Sequence, residues 1–259
     1  NIDVAAATRR GIPVTNTPGV LTETTADLTW ALLLAAARRI PEAHRYMTAG
    51  RYRLWGPELL LGTDVGTGAD GAARTLGIIG YGRIGQAVAR RARGFDMRIL
   101  AFDPFARDTI TNDSLVDWAD FDTLLQLSDV VTLHALLTEQ THHMIGDREL
   151  HLMKRTAYLI NVARGEMIDE AALVRALRER RIAGAALDVY EHEPAMADGL
   201  AGCDNAVLVP HIGSATTGTR NRMATMAAVN ALAHLRRERA PHIVNADVYD
   251  TDAYRARRS

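Results

Sequence analysis

Short apolar runs alternate with amphipathic segments along most of the chain beyond residue 74. Near-continuous apolar runs predict strands that are buried on both faces, and the amphipathic segments between them predict helices. Strands are predicted for TLGIIG, MRILAFD, DVVTLHAL, TAYLINVA, AGAALDVY and NAVLVP, and helices for 83–93, DFDTLLQLS, DRELHLMKR and DEAALVRALRERR. This alternation predicts an α/β fold with a doubly wound parallel sheet.

Two further helices and a loop are predicted outside this alternation. Thr24 as an N-cap, with an apolar run that follows it up to Pro41, predicts a helix before the sheet. Residues 216–237 predict a long helix after the sheet, and the glycine-rich residues 62–74 predict a flexible loop. The strand-like segment IPVTNT lies near the start of the chain, and we expect it to belong to a different part of the protein from the sheet.

Composition and charge narrow the class of function. The formal net charge of −1 argues against nucleic acid or an anionic membrane as the main partner. The single cysteine, Cys203, excludes an intramolecular disulfide bond and a thiolate metal cluster, and it fits a reducing, cytoplasmic location. The longest apolar stretch, residues 30–37, is too short to span a bilayer. We therefore expect a protein whose main partner is a small molecule.

The segment LGIIGYGRIG contains the spacing G-x-G-x-x-G at Gly80, Gly82 and Gly85. It follows a predicted strand and opens a predicted helix, and the next strand ends in the acidic residue Asp103. In a Rossmann dinucleotide-binding unit these glycines allow a tight turn, the approach of a pyrophosphate and close helix packing. A carboxylate at Asp103 accepts hydrogen bonds from ribose hydroxyls and repels a 2′-phosphate, which predicts NAD(H) rather than NADP(H).

Three polar groups lie just beyond predicted strands. Arg164 follows LINVA, the acidic stretch DVYEHEP begins at Asp188, and His211 follows NAVLVP. The carboxyl ends of parallel strands meet at one edge of the sheet, where ligands of this fold bind. A guanidinium can hold a carboxylate and polarise a carbonyl, and an imidazole supported by a carboxylate can donate a proton. The constellation predicts reduction of a 2-oxo acid.

Five ordered segments show that the sequence resembles the D-isomer-specific 2-hydroxyacid dehydrogenases. They are GIIGYGRIGQAVARRARGFDMRILAFDP, TLHALLTEQTHHMI, LINVARGEMIDEAAL, ALDVYEHEP and VPHIGSAT. The resemblance implies a catalytic arginine at Arg164, an acid/base histidine at His211 and a glutamate that supports the histidine at Glu193. It also implies that Asp188 receives the nicotinamide carboxamide, whereas Glu191 and His192 are expected to be solvated turn residues. Further cofactor contacts are implied at Arg83, Ile84, Thr138, Val162, Ala163 and Thr25.

The segment GRYRLWGPELLLG is similar to glyoxylate/hydroxypyruvate reductases within this family. The resemblance implies a homodimer in which Trp55 approaches the substrate pocket of the partner subunit, or else serves only as an interface anchor. Glyoxylate and hydroxypyruvate are the expected substrates, with other 2-oxo acids of the 2-ketogluconate or phosphoglycerate type as alternatives. A non-catalytic NAD(H)-sensing module is a further hypothesis. No spacing of histidines with acids or cysteines supports a metal site.

The resemblance also predicts how the chain is divided. Residues 1–22 are expected to be the remnant of a flavodoxin-like substrate domain. Residues 23–215 are expected to form the NAD-binding domain with a dimerisation helix, and residues 216–259 to return to the substrate domain. Family members are longer than this chain, so we expect a fragment or an incomplete start. We also expect cofactor binding to survive better than turnover.

Overall fold

The computed structural model describes residues 2–110 and 113–258. The chain divides into two compact units, one of residues 25–213 and one that combines residues up to Thr24 with those from Ser214 onward. The larger unit contains a seven-stranded sheet in which every neighbouring pair of strands is parallel. This confirms the predicted doubly wound α/β fold.

The strands follow one another along the chain as predicted, with one addition. Their bounds are β1 (Thr75–Ile79), β2 (Arg98–Phe102), β3 (Asp117–Trp118), β4 (Val130–Leu133), β5 (Tyr158–Asn161), β6 (Gly184–Leu187) and β7 (Ala206–Leu208). The spatial order is β3-β2-β1-β4-β5-β6-β7. The order therefore reverses between β1 and β4, which is the position where open α/β sheets bind their ligands.

The described residues form ten α-helices and several short 3-10 turns. The α-helices are α1 (Val4–Arg9), α2 (Thr22–Ala37), α3 (Ile40–Thr48), α4 (Arg83–Ala92), α5 (Ala106–Thr109), α6 (Phe121–Leu127), α7 (Asp147–Leu152), α8 (Glu170–Arg178), α9 (Thr217–Leu235) and α10 (Asp252–Arg258).

Alternate residues of the central strands enter two separate hydrophobic layers. On β5, Leu159 packs in the layer that includes α6, α7 and α8, whereas Tyr158 and Ile160 pack in the layer that includes α2 and α4. Successive side chains of a strand point to opposite faces, so a strand buried on both faces must be apolar throughout. This requirement explains the continuous apolar runs that predicted the sheet.

Three predictions for helix ends were wrong. The helix predicted to be capped by Thr24 begins at Thr22 and ends at Ala37. Arg39 then adopts a left-handed conformation (φ 52°), and Pro41 lies in the first turn of α3, where its missing N–H removes no helical hydrogen bond. Asp147, expected to cap α7, is its first residue. The cap is Gly146, whose N–H donates to Glu149 Oε2 at 3.1 Å.

The residues expected to form a flexible loop, 62–74, pack more closely than predicted. They contain neither a strand nor a helix, but the N–H of Thr63 donates to Ala37 O at 2.8 Å. A Cβ on Gly66 would lie 2.2 Å from the carbonyl oxygen of Phe95, so its glycine permits a close contact between backbones. Val65 is buried. Glycine marks close packing here as well as a turn.

In the smaller unit the side chain of Asn245 joins the two ends of the chain. Its Nδ2 donates to Thr8 Oγ1 at 2.8 Å, and its Oδ1 accepts from the N–H of Val14 at 2.7 Å. The segment predicted as a strand, IPVTNT, forms only an isolated antiparallel bridge, between Thr15 and Ile243. A buried asparagine therefore replaces part of the pairing that a longer strand would provide.

Candidate active site

The glycine turn between β1 and α4 has the geometry that its spacing predicts. Gly80 has a φ of +91°, and a Cβ there would lie 2.4 Å from Ala135 N. A Cβ on Gly85 would lie 2.2 Å from Gly80 O, so this glycine lets the helix pack against the turn. Gly82 differs, because a Cβ there would meet no atom within 4 Å. The space in front of Gly82 is therefore open to a ligand.

The same turn brings a helix N-terminus next to a fixed carboxylate. α4 begins after Gly82 with no side-chain cap, whereas α6 and α8 begin with aspartate caps. Asp103, just after β2, accepts from the N–H of Tyr81 at 2.8 Å through Oδ2. An uncapped helix N-terminus attracts phosphates, and a carboxylate at this position can accept from a ribose. Arg83 and Ile84 form the first turn of α4. These residues fit a dinucleotide.

Asn161 positions the loop that carries Arg164. The asparagine is fully buried at the end of β5, where its Nδ2 donates to Arg164 O at 2.8 Å and its Oδ1 accepts from the N–H of Ala163 at 3.0 Å. The guanidinium of Arg164 is exposed, and its Nη1 donates to Ala163 O at 2.6 Å. Asn161 was not predicted, although an amide at the end of an apolar strand is a usable signal.

Asp188 positions the turn that contains His211. Its Oδ1 accepts from the N–H of Ile212 at 2.6 Å, its Oδ2 accepts from the N–H of Gly213 at 2.8 Å, and its backbone oxygen accepts from the N–H of His211 at 2.9 Å. Burial raises the pKa of Asp188, and the two N–H donors to its carboxylate act in the opposite direction. The predicted contact with the nicotinamide carboxamide stays a prediction.

His211, which follows β7, and Glu193, which follows β6, are hydrogen-bonded to each other. His211 Nδ1 lies 2.8 Å from Glu193 Oε2, and the N–H of Tyr190 donates to Glu193 Oε1 at 3.2 Å. The two side chains are 53% and 36% exposed, so solutes can reach the imidazole. Because Nδ1 is engaged by the carboxylate, Nε2 is the ring nitrogen that can contact a substrate.

The expectation that Glu191 is a solvated turn residue was wrong. Its Oε1 lies 2.7 Å from His143 Nε2, and its Oε2 accepts from the N–H of Glu170 at 3.3 Å. The side chain of Glu191 is only 17% exposed. The neighbouring side chain of His192 is 83% exposed, as expected of a turn.

The other predicted site residues occupy different surroundings. Thr138 is in the loop after β4, and Val162 and Ala163 directly follow β5. Thr25 is buried on α2, and its Oγ1 donates to Gly213 O at 3.1 Å. Trp55 lies between α3 and β1, outside the loops that follow the strands, and is 71% exposed.

His134 follows β4 at the point where the strand order reverses, and burial keeps its imidazole neutral. Nε2 lies 3.0 Å from Thr132 Oγ1, whereas Nδ1 is shielded from solvent and has no partner among the residues described. This burial lowers the pKa of His134 from 6.5 to about 3. At a pH between about 3 and 6.5, the His134 imidazole of the unfolded chain binds a proton, whereas that of the folded chain does not. The free energy of unfolding therefore falls as the pH falls through this interval.

We expect the variant His134→Gln to be less sensitive to acid than the original protein. Gln can keep a contact with Thr132 and takes up no proton. Protonation of His134 in the unfolded chain lowers the free energy of unfolding by at most about 1.4 kcal/mol for each pH unit below 6.5. Between pH 7 and pH 5 the variant should therefore lose roughly 1–2 kcal/mol less of this free energy than the original protein. Urea unfolding at both pH values measures it. The control is His192→Gln, at a side chain that is 83% exposed, and equal losses in the His134→Gln and His192→Gln variants would contradict the prediction.

The sheet order, the glycine turn and the polar groups at the strand ends define a dinucleotide-dependent oxidoreductase. The family model described as "D-isomer specific 2-hydroxyacid dehydrogenase, NAD binding domain" matches residues 30–213. A glyoxylate reductase from Korarchaeum cryptofilum is 53% identical over 250 residues, which cover 96% of this chain and 74% of that protein. The chain therefore belongs to the D-isomer-specific 2-hydroxyacid dehydrogenase family. It is an oxidoreductase with a nicotinamide dinucleotide cofactor.

Solved structures agree with this assignment. The TT0316 protein from Thermus thermophilus has a TM-score of 0.85 and 47% identity, with 94% of this chain and 75% of that chain covered. The NADPH-dependent glyoxylate/hydroxypyruvate reductase from Sinorhizobium meliloti, solved with NADP and malonate, has a TM-score of 0.81 and 34% identity, with 95% and 74% covered. In the described part of the chain, no helix combines the length and apolar character needed to cross a membrane.

Proposed function

We propose that this protein reduces glyoxylate or hydroxypyruvate to the hydroxy acid, the D form where the product is chiral, with NADH as the electron donor. The observation that carries the proposal is the contact of 2.8 Å between His211 Nδ1 and Glu193 Oε2. It orients the imidazole, with Nδ1 held by the carboxylate and Nε2 left to donate a proton to a substrate.

Each polar group has a defined part in the proposed reaction. A nicotinamide cofactor held at the glycine turn and Asp103 would supply the hydride for C2 of the 2-oxo acid. Arg164 holds the substrate carboxylate and polarises the C2 carbonyl with its planar guanidinium. His211 donates the Nε2 proton to the carbonyl oxygen, which leaves a neutral imidazole that solvent reprotonates, while the oxidised cofactor would leave with the 2-hydroxy acid. Glu193 holds the imidazole in the orientation for this transfer through its contact with Nδ1.

Asp103 supports a preference for NADH over NADPH. Besides the N–H of Tyr81, its carboxylate accepts from the N–H groups of Phe105 and Ala106, both at 2.9 Å. These three donors fix an anion at the end of β2, where a 2′-phosphate would be repelled. The Sinorhizobium meliloti relative is described as NADPH-dependent. The choice between the two cofactors is therefore a property to be measured on this chain.

The proposed domain division and homodimer rest on different observations. The division into residues 1–22, 23–215 and 216–259 is supported by the two compact units, whose boundaries at Thr24 and Ser214 are similar. The homodimer is supported by exposed apolar side chains between α3 and β1. Leu54 is 83% exposed, Trp55 71% and Leu61 62%, so three large apolar side chains within one short segment are left uncovered by the rest of this chain. In the proposed dimer Trp55 approaches the partner's substrate pocket.

Turnover of a panel of 2-oxo acids tests the proposed function. With NADH, kcat/KM should be highest for glyoxylate or hydroxypyruvate, and lower for pyruvate and 2-ketogluconate. NADPH should be used less well, and Asp103→Ser should narrow that difference because it removes the repelling carboxylate. Light scattering on the same preparation should give twice the chain mass. NADH binding without turnover of any of the four acids, both by this chain and by one extended upstream to the length of its relatives, would contradict the proposed reaction and favour a sensing module.

A further inference from the structure

Glu170 is a buried glutamate that the proposed reaction leaves unexplained. It is the first residue of α8 and is only 2% exposed. Its Oε1 accepts from the N–H of Glu191 at 2.9 Å, and its Oε2 accepts from the N–H of Ala197 at 2.8 Å. Its own N–H donates to Glu191 Oε2 at 3.3 Å. One carboxylate thus binds both ends of the loop 191–197.

An acidic residue in the first turn of a helix is ordinarily explained by the helix dipole and faces water. Burial makes that explanation insufficient for Glu170, because removing a carboxylate from water is unfavourable unless donors replace its hydration. The two backbone N–H groups are such donors, and hydrogen bonds to a charged acceptor are among the stronger ones. The carboxylate therefore holds the loop in place, and the loop supplies the N–H groups that replace the hydration of the carboxylate.

The anchored loop carries Glu193, the partner of His211. Glu193 lies two residues after one anchor point and four residues before the other. Its Oε2 must remain 2.8 Å from His211 Nδ1 for the imidazole to keep its orientation. We propose that Glu170 is a positioning residue for proton transfer, which acts by holding the loop 191–197 so that Glu193 stays against His211. This inference rests on the proposed function of that pair.

Contacts on the outer side of the loop also restrain Glu191. Its Oε1 lies 2.7 Å from His143 Nε2 and 3.9 Å from His192 Nε2. The side chains of His143 and His192 are 38% and 83% exposed, whereas Glu170 is buried. The buried anchor is therefore the one expected to control the position of Glu193.

A double-mutant cycle between Glu170→Gln and Glu193→Gln separates positioning from a general structural effect. A carboxamide at 170 keeps one acceptor oxygen but turns an NH2 group toward one of the two N–H donors, so one anchor is lost. We expect kcat for glyoxylate reduction to fall by roughly 10–100-fold in Glu170→Gln, with KM for glyoxylate and Kd for NADH changed less than about threefold. In the Glu193→Gln background the same substitution should lower kcat by less than about twofold.

Each outcome of the cycle has a distinct meaning. An equal fall of kcat in both backgrounds, or a fall that matches a loss of NADH affinity, would overturn the positioning role of Glu170. Wild-type kcat in Glu193→Gln alone would instead contradict the proposed function. The matched control is Glu149→Gln, which removes a glutamate contact at the start of α7 but touches no part of the loop. It should leave kcat unchanged.

A second substitution covers the case in which Glu170→Gln does not fold. Glu170→Asp keeps the buried charge with a shorter side chain that cannot reach both N–H groups equally. The same cycle with Glu193→Gln applies to it, and the expected result is again a loss of kcat that disappears in the Glu193→Gln background. Additive losses would overturn the inference.

Discussion

Replacing His211 with glutamine should lower kcat for glyoxylate or hydroxypyruvate reduction by roughly 10³–10⁴-fold while NADH binding changes less than about twofold. The substitution removes the group proposed to donate the proton, whereas the glycine turn at Gly80–Gly85 and Asp103, which are proposed to bind the cofactor, are untouched. Steady-state turnover and fluorescence titration with NADH measure the two effects. Separation of catalysis from cofactor binding is the result that distinguishes an enzyme from a sensing module.

Two companion variants make the His211 result specific. Glu193→Gln should retain more activity than His211→Gln, because the imidazole remains and loses only its charged support at 2.8 Å. His192→Gln should leave kcat unchanged, since that side chain is 83% exposed although it is adjacent to Glu193 in the chain. Substantial turnover by His211→Gln would show that another group donates the proton. A matching loss of NADH affinity would show that His211 supports the fold of the cofactor site.

Gly165→Ala should reduce both stability and activity. A Cβ at this position would lie 1.9 Å from the carbonyl carbon of Tyr190 and 2.0 Å from its oxygen, so one backbone must move. Overpacking of this kind typically lowers the free energy of unfolding by about 1–3 kcal/mol. The shift also separates Arg164 from the loop that carries Glu193, and a displacement of about 1 Å in such a site can lower kcat/KM by roughly 100-fold. Urea unfolding and steady-state kinetics measure the two effects.

Gly202→Ala is the matched control for Gly165→Ala. Neither glycine has a positive φ, so alanine can adopt both backbone conformations, but a Cβ on Gly202 would meet no atom within 4 Å. The control should change the free energy of unfolding by less than about 0.5 kcal/mol. If both variants were equally stable and active, the close approach between Gly165 and Tyr190 would have no consequence, and the prediction would be wrong.

The core of the fold was predictable because its signals are local. Strands buried on both faces must be apolar throughout, so TLGIIG, TAYLINVA and their neighbours indicated the sheet without any knowledge of its order. β3 was missed because Asp117 and Trp118 make only a two-residue edge strand, which has no apolar run to mark it. The early start of α2 at Thr22 and the glycine cap of α7 were missed because several polar residues near each end could have served as caps.

The main polar groups of the proposed site were predictable from the sequence, but the residues that hold those groups in position were not. Arg164 and His211 come soon after apolar strands, so their polarity stands out in the sequence, whereas Glu193 was selected among several nearby carboxylates only through the resemblance to a known family. Asn161 and Glu170 also interrupt or border apolar segments, but each has an ordinary explanation, as a strand end and as an acidic helix start. Their roles depend on hydrogen bonds to backbone groups whose positions no local pattern specifies.

The sequence by itself determined the α/β class, the glycine turn and the identity of the polar groups at the strand ends, since each depends on the order of residues within one strand and its following loop. Only the tertiary structure decided that Glu170 binds Glu191 and Ala197, which are 21 and 27 residues away. It also decided that Gly165 lies against Tyr190. Such contacts arise when neighbouring strands bring separate loops to one edge of the sheet, and distance along the chain carries no information about that approach.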